Sequence, residues 1–495
     1  MPEERTSPHP PTRDIQLSPR HRWRAYWIAV SVAALTILDL TKVNVALPSI
    51  ESALNAGPTE LQLVVSGYIL TFGLVLVPAG RLGDLRSRRV LFLVGLSLFL
   101  LTSLACALAP NTAVLLTARL LQGVAAGIQM PQVLGLVQQL FQGKERGRAF
   151  GLFGATIGIA TAFGPTLGGL LIALGGQTDG WRLIFWINIP LVAIVIVLAA
   201  WLLPSTRTKS HRALDLDPIG VVLFGLTIVA LMWPFLFTTG SPDDDPRRWW
   251  LLVASAVFAA AFVFWERRYA DRGRMPLMPF AIFGLGSYRN GVLISTAYFA
   301  AVPAMFLLGT LYLQGGLGLP PVFAGMVTIG FAVASAGSAW IGGTLVTRLG
   351  RPLVVGGILG MVVAAGALVL VAVVTPPEWT PWAMAAVMAV GGLAGGLVVS
   401  PNQTLTLADI PVSRGGVAGS IGQLGQRVGT AVGTAIALAL FYATVYREQG
   451  DREQLTVFHD AYASGMIAVG VFLGLALIVG VADLAGRARH GSQTP

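Results

Sequence analysis

Apolar residues along this chain fall into long unbroken runs rather than alternating with polar ones. Each run is closed by a short charged or Gly/Pro-containing break, and about 20 apolar residues is the length a helix needs to cross the hydrocarbon core of a bilayer. Core helices of soluble proteins are shorter. The runs predict fourteen membrane-spanning helices, at 25–47, 61–80, 90–109, 113–140, 150–173, 184–203, 216–237, 249–266, 290–313, 322–346, 353–374, 381–407, 417–444 and 462–485. Helix is the expected element because lipid offers no partner to an unpaired backbone group.

Composition agrees with the pattern. Hydrophobic residues make up 55% and charged residues 11%, with a mean hydropathy of +0.73, against about 25% charged in a soluble domain. The residues before the first run are polar and rich in Pro and Arg, without the apolar stretch and small-residue cleavage site of a signal peptide, so the first span is expected to stay in the mature protein. The single cysteine, Cys106, lies within an apolar run, which rules out an internal disulfide and suits a small buried hydrophobe.

Charge sets the orientation, since Lys and Arg are retained in short cytoplasmic loops. With the N-terminus inside, 25 of the 33 basic residues fall on cytoplasmic segments. Outside remain Arg182, Arg247, Arg248, Arg447 and Arg452, several with acidic neighbours in SPDDDPRR and YREQGDREQ. An even number of spans with both termini in the cytoplasm accounts for this distribution. The net charge of +10 is therefore a topology signal, and no nucleic-acid partner is expected.

Three basic residues are left inside spans: Lys42, Arg119 and Arg427. Asp39 is the one acid deep in a span, while Asp217, Glu266, Asp409 and Asp483 fall near cytoplasmic ends. All five histidines are expected outside the spans, so neither a histidine relay nor a metal or other cofactor is expected. At 1.5 Å per residue, Asp39 lies roughly 13 Å below Pro48, and Arg119 roughly 12 Å below Asn111. The two charges thus share a depth. Lys42, three residues beyond Asp39, is on the same helix face. Charges at mid-bilayer cost about 2.5–3.5 kcal/mol on insertion scales and normally mark a substrate or proton pathway. A fixed structural ion pair is the plainer alternative.

Four stretches then resemble one family, in order. The first span reads LDLTKVNVALP; the second runs into GRLGDLRSRR; the fourth reads LTARLLQGVAAG, with an R-x-x-x-G core; the fifth reads GIATAFGPTLGG. Together with fourteen spans, they resemble the drug:proton antiporter branch of the major facilitator superfamily over nearly the whole chain. The resemblance implies an all-α fold of two six-helix bundles with two extra central spans. The corresponding division is a tail at 1–24, a bundle at 25–203, the extra pair with its loops at 204–289, a second bundle at 290–485 and a tail at 486–495. An internal echo supports it: GGTLVTRLGRPLV at 342–354 repeats GRLGDLRSRRVLF at 80–92, with Thr347 in place of the acid.

Each motif also has a physical reading. Gly80 and Gly83 permit close helix approach, Asp84 suits the positive N-terminus of a neighbouring helix, and Arg86, Arg88 and Arg89 hold the loop in the cytoplasm. The resemblance implies a latch stabilising the outward-facing state, with the span after Arg414 as partner. Ser87 stands where the family has Gly, and Leu85 where it has a basic residue. In the fifth span Pro165 removes a backbone hydrogen bond, while Gly164, Gly168 and Gly169 permit close packing, so a bend is expected there. The resemblance ties this motif to export.

Expected proton-coupling residues are Asp39, Arg119 and Lys42. Expected cavity residues are Asn44, Gln122, Gln129, Gln132, Tyr312, Gln314, Asn402, Gln403, Gln423, Gln426 and Arg427, of which Arg427 lies roughly 17 Å beyond Gly416 and near mid-span. One deep acid against three deep bases favours neutral or anionic amphiphiles over polycations. The expectation is a monomeric exporter in a bacterial inner membrane, exchanging protons for small amphiphiles amid membrane lipid. A dedicated exporter or importer of one solute is the alternative. A primary pump lacks support, because GKER at 143–146 is not completed as a phosphate-binding loop. A membrane enzyme lacks a catalytic cluster of any recognised spacing.

Overall fold

The computed structural model describes residues 18–204, 217–237, 244–448, 450 and 452–491. Most of the polar N-terminal tail, the basic stretch with Arg207, Lys209, His211 and Arg212, and Asp243 lie outside the described residues. The described elements are helices: α1 (Pro19–Leu54), α2 (Pro58–Leu85), α3 (Arg88–Ala107), α4 (Thr112–Leu140), α5 (Gly143–Trp186), α6 (Asn188–Leu202), α7 (Pro218–Leu236), α8 (Trp250–Asp271), α9 (Gly286–Leu311), α10 (Pro321–Met326), α11 (Ile329–Leu349), α12 (Arg351–Val374), α13 (Thr380–Thr406), α14 (Gly415–Glu448) and α15 (Gln454–Gly491). Fourteen stretches are long and apolar enough to span a membrane.

The helical segments overrun the apolar runs at several ends. The last helix starts at Gln454, so His459, expected outside the spans, stands on its second turn. Beside it, Arg452 pairs with Asp460 at 2.9 Å. The fifth and sixth spans share one continuous assignment broken at Gly176, whose φ of 82° is open to glycine without strain. The helix continues through Pro165, and Gly176 marks the junction between the two spans.

Two sets of helices pack within themselves. α1 packs on α4 and α5, and α2 and α3 pack on α4; in the second set α9 packs on α14 and α15, while α11 and α12 pack on α13. One apolar core is centred on the first set around Tyr26, Phe72, Phe92 and Leu134 and continues into α7 and the start of α14 through Met232 and Leu424; another lies within the second set around Met305, Tyr312, Ile358 and Leu473. Large apolar side chains such as Trp201, Leu174 and Val374 point outward instead, as lipid-facing positions do. In lipid, helix association rests on close packing rather than on burial from water. Gly433 illustrates this, since a Cβ there would lie 1.9 Å from the Ala300 carbonyl oxygen.

The extra helices pair with each other, and α7 also packs against both α2 and α14. A Cβ on Gly73 would lie 3.6 Å from Met232 of α7 and from Leu424 of α14, so the three helices meet there. At its outer end the Leu236 carbonyl, left free by helix termination, accepts from Gln62 Nε2 at 2.8 Å and Ser66 Oγ at 3.3 Å.

The repeated loop behaves differently in its two copies. Arg351 pairs with Asp483 of α15 at 2.5 Å and donates to Asn402 Oδ1 at 2.6 Å, all inside the second bundle. Asn402 is therefore a strut at the inner end of α13, donating to the Gly291 carbonyl, rather than a cavity group. Replacing Asp483→Ala removes the carboxylate from a buried ion pair and is expected to cost about 3–5 kcal/mol of stability. A thermal unfolding midpoint in detergent equal to wild type would contradict that.

Candidate functional site

Four helices converge on a buried polar cluster in the first bundle. Asp39 and Lys42 come from α1, Arg119 and Gln122 from α4, Ser103 from α3 and Asn188 from the start of α6; all six are fully buried. Arg119 Nη1 meets Asp39 Oδ2 at 2.8 Å. The second carboxylate oxygen accepts from Asn188 Nδ2 at 2.7 Å, and the same amide's oxygen accepts from Lys42 Nζ at 2.8 Å. Lys42 thus reaches the acid through Asn188, not by direct pairing. Arg119 Nη1 also donates to Gln122 Oε1 at 2.8 Å, and Gln122 Nε2 to Ser103 Oγ at 2.8 Å.

The cluster holds two bases against one acid, and its remaining partners are all electron-rich. Lys42 donates to the Ile184 carbonyl at 3.1 Å, Arg119 Nε to the Val64 carbonyl at 3.3 Å, and the Arg119 guanidinium lies 4.3 Å from the centre of the Tyr68 ring. Such an arrangement stabilises the excess cation only while Asp39 is ionised, because carbonyl dipoles and ring faces are weaker partners than a carboxylate. A proton on Asp39 would remove the one full negative charge.

Asn188, Ser103 and Tyr68 were not singled out by sequence. A signal for Asn188 existed: between Leu183 and Ala200 it is the only polar side chain, and nine residues below Asp179 it lies roughly 13 Å deep, level with Asp39. Ser103 and Tyr68 gave no comparable signal.

The glutamines of α4 point into their own bundle. Gln122 serves the ion pair, Gln129 Nε2 donates to Thr36 Oγ1 at 2.7 Å, and Gln132 Nε2 to the Ala79 carbonyl at 3.0 Å. Tyr312 lies at the outer end of the second bundle, its hydroxyl 2.9 Å from His459 Nε2, because a π-helical turn at Tyr312–Gly316 ends the helix there. Gln314 is on that turn. Gln426 bonds Ser295 at 3.1 Å; Asn44 is exposed, Gln403 is half-buried, and Gln423 and Arg427 lie one turn apart on α14. Arg427 sits with its guanidinium 4.7 Å from the centre of the Phe72 ring, on α2 of the other bundle.

The two bundles are tied at the cytoplasmic end. Asp84 accepts from the backbone N–H of Gly416 and of Val417, both at 2.9 Å, at the N-terminus of α14, where free amides and the helix dipole favour a carboxylate. Arg88 pairs with Asp84 at 2.7 Å, donates to the Gly135 carbonyl at 2.7 Å, and crosses to the Val412 carbonyl at 2.7 Å. Arg89 donates to the Ala200 carbonyl. Gly80 is required by contact, since a Cβ there would fall 2.8 Å from the Gly416 backbone carbonyl oxygen, whereas one on Gly83 would meet the movable end of Gln132. The turn itself has no left-handed residue: Arg86 is extended, and Ser87 caps α3 by accepting from the Val90 N–H. Serine therefore serves where the family has glycine. Asp84→Asn halves the acceptor capacity of the latch and is expected to lengthen the distance between spin labels at Lys144 and Ser413; an unchanged distribution would mean the latch holds nothing.

The fifth-span motif touches the polar cluster from behind. A Cβ on Gly164 would lie 1.8 Å from Thr41 Oγ1, and one on Gly168 would lie 3.1 Å from the Lys42 carbonyl oxygen, whereas Gly169 has open space. α5 is thereby seated on the turn of α1 that carries Lys42.

Comparison with known proteins places this geometry. A family model described as Major Facilitator Superfamily matches residues 29–434. Among curated proteins, the chain is 32% identical over 416 residues to a probable actinorhodin transporter of Streptomyces coelicolor, covering 82% of this chain and 71% of that protein. It is 34% identical over 403 residues to multidrug resistance protein Stp of Mycobacterium tuberculosis (80% and 71%), and 30% identical over 419 residues to the tetracenomycin C resistance and export protein of Streptomyces glaucescens (81% and 73%). Among solved structures, the human organic anion transporter MFSD10 aligns with a TM-score of 0.65 at 14% identity over 93% of this chain and 100% of that one; the proton:xylose symporter XylE gives 0.60 at 16%, over 93% and 95%. At those identities the solved structures support the fold alone.

Proposed function

We propose that this chain, which belongs to the major facilitator superfamily and is a multi-pass transporter of a bacterial inner membrane rather than an enzyme, exports small amphiphilic drugs or antibiotics in exchange for protons. One observation carries the coupling: the fully buried Asp39–Arg119 pair, joined to Lys42 through Asn188. The names of the three relatives support export of such compounds. The bundles we propose are 25–203 and 290–485, with the extra pair in 204–289 between them.

The mechanism is alternating access. Outside, a proton neutralises Asp39, and Arg119, Asn188 and Lys42 lose the charge that draws α1, α4 and α6 together. The Asp84–Arg88 latch then competes less well with the state open to the cytoplasm, where substrate enters and the proton leaves. Deprotonated Asp39 re-forms the cluster and the latch closes. The runner-up, an exporter dedicated to one product, is favoured by two relatives named for single compounds, actinorhodin and tetracenomycin C. The test is fluorescence dequenching of a pH-sensitive dye in respiring inverted vesicles. Compounds that move protons are substrates; a broad set supports the first reading and one compound the second. No proton movement with any compound would leave the coupling without support.

A further inference from the structure

Three arginines well inside the protein each have an acid of their own: Arg119 with Asp39, Arg88 with Asp84 and Arg351 with Asp483. Arg427 differs. Among the described residues it has neither an ion-pair nor a hydrogen-bond partner, and its Nε is buried and unsatisfied. Its contact is the face of Phe72, which is 1% exposed, while Arg427 itself stays partly open. Gln423, one turn below on the same face of α14, likewise makes no hydrogen bond within the described protein. The Tyr68 hydroxyl has no partner either, and its ring stands 6.1 Å from that of Phe72. Two buried atoms without a hydrogen-bond partner, Arg427 Nε and the Tyr68 hydroxyl, thus belong to residues that flank the Phe72 ring, where α2 of the first bundle packs on α14 of the second.

We propose that Arg427, with Phe72 and Gln423, is the recognition site for the carboxylate of an aromatic amphiphile. The proposal deepens the exporter reading by naming the substrate class and rests on it. The Arg427 guanidinium lies against the Phe72 ring, and no protein group accepts from its Nε–H. The guanidinium edge offers Nε–H and an adjacent Nη–H in one plane, the fork that a carboxylate accepts side-on. A hydroxyl accepts only one of the two bonds, and an ammonium is repelled. Asp39 cannot supply the missing anion, since it is fully buried and committed to Arg119 and Asn188.

The experiment uses the full chain purified in detergent and a matched series of probes: 1-pyrenebutyrate, 1-pyrenebutanol and 1-pyrenebutyltrimethylammonium, followed by pyrene fluorescence. Wild type is expected to bind the butyrate about tenfold or more tighter than the butanol, the size of effect a charged hydrogen-bonded pair gives, and the ammonium weakest. Arg427→Gln brings the butyrate to the level of the butanol. Arg427→Lys, which keeps the charge but loses the side-on fork, falls between. Equal affinities in wild type, or an undiminished preference in Arg427→Gln, overturn the proposal. So does a preference that disappears when phosphatidylglycerol replaces phosphatidylcholine in nanodiscs, because the anion would then be a lipid headgroup. In inverted vesicles the same probes separate this idea from the exporter reading. Protons moved by the ammonium or butanol but not by the butyrate overturn the carboxylate site alone. Binding of the butyrate through Arg427 without proton movement by any probe leaves the site standing and sinks the coupling.

Discussion

Asp39→Asn is expected to reduce compound-driven proton movement in inverted vesicles to the level of empty membranes. The substitution preserves size and removes both the charge and the exchangeable proton. Arg119 and Lys42 are then left with neutral partners at a fully buried position, and an uncompensated charge of that kind costs about 3–5 kcal/mol. Loss of folding is the competing explanation, so two controls belong to the experiment: the amount of protein in the membrane, and Asp39→Glu, which restores a titratable acid with a displaced carboxylate. Partial recovery in Asp39→Glu with none in Asp39→Asn assigns the effect to the proton. Full proton-dependent export by Asp39→Asn would remove Asp39 from the mechanism.

The second large effect is expected at the seam between α5 and α11. A Cβ on Gly343 would lie 2.6 Å from the Gly147 carbonyl oxygen and 2.6 Å from Gly151 Cα. These are backbone atoms, so the helices themselves must move apart. Gly343→Val therefore opens the cytoplasmic end and biases the protein against its outward-facing state. The lone thiol, Cys106, is fully buried, which makes site-directed labelling clean once it is replaced by Ser. Ser400 lies at the seam, 1% exposed and 3.3 Å from where a Gly154 Cβ would stand. A Ser400→Cys thiol is expected to react with a membrane-permeant maleimide at least about tenfold faster when Gly343→Val is present, the shift that 1.4 kcal/mol of destabilisation produces. Equal rates would mean the glycine contact does not set the closed state.

Fourteen spans were legible because hydropathy over about 20 residues is a strong signal, and a superfamily resemblance could be carried residue by residue. The depth match of Asp39 and Arg119 was legible too, since helical rise converts residue number to depth. What sequence left open was direction around each helix. Gln122, Gln129 and Gln132 occupy cavity-like depths, yet face their own bundle. Lys42 shares a face with Asp39, yet an amide from α6 sits between them. Asn402 and Arg351 are far apart in sequence and meet only because α12 and α13 pack together. In each case a side chain's role depends on which neighbour completes its hydrogen bonds, and that neighbour comes from another helix.

The position of α7 carries a consequence for how an oily substrate leaves. Of the two seams where the bundles meet, the one between α2 and α14 is covered by α7, which is bonded to Gln62 and Ser66 and packed at Gly73. The seam between α5 and α11 has no such cover among the described residues, and its outer flank exposes Phe163, Val322 and Phe323. If the exported compound is an amphiphile that leaves sideways into the outer leaflet, this asymmetry gives it one lateral door rather than two, and the extra helix pair makes this transporter handed with respect to the surrounding lipid.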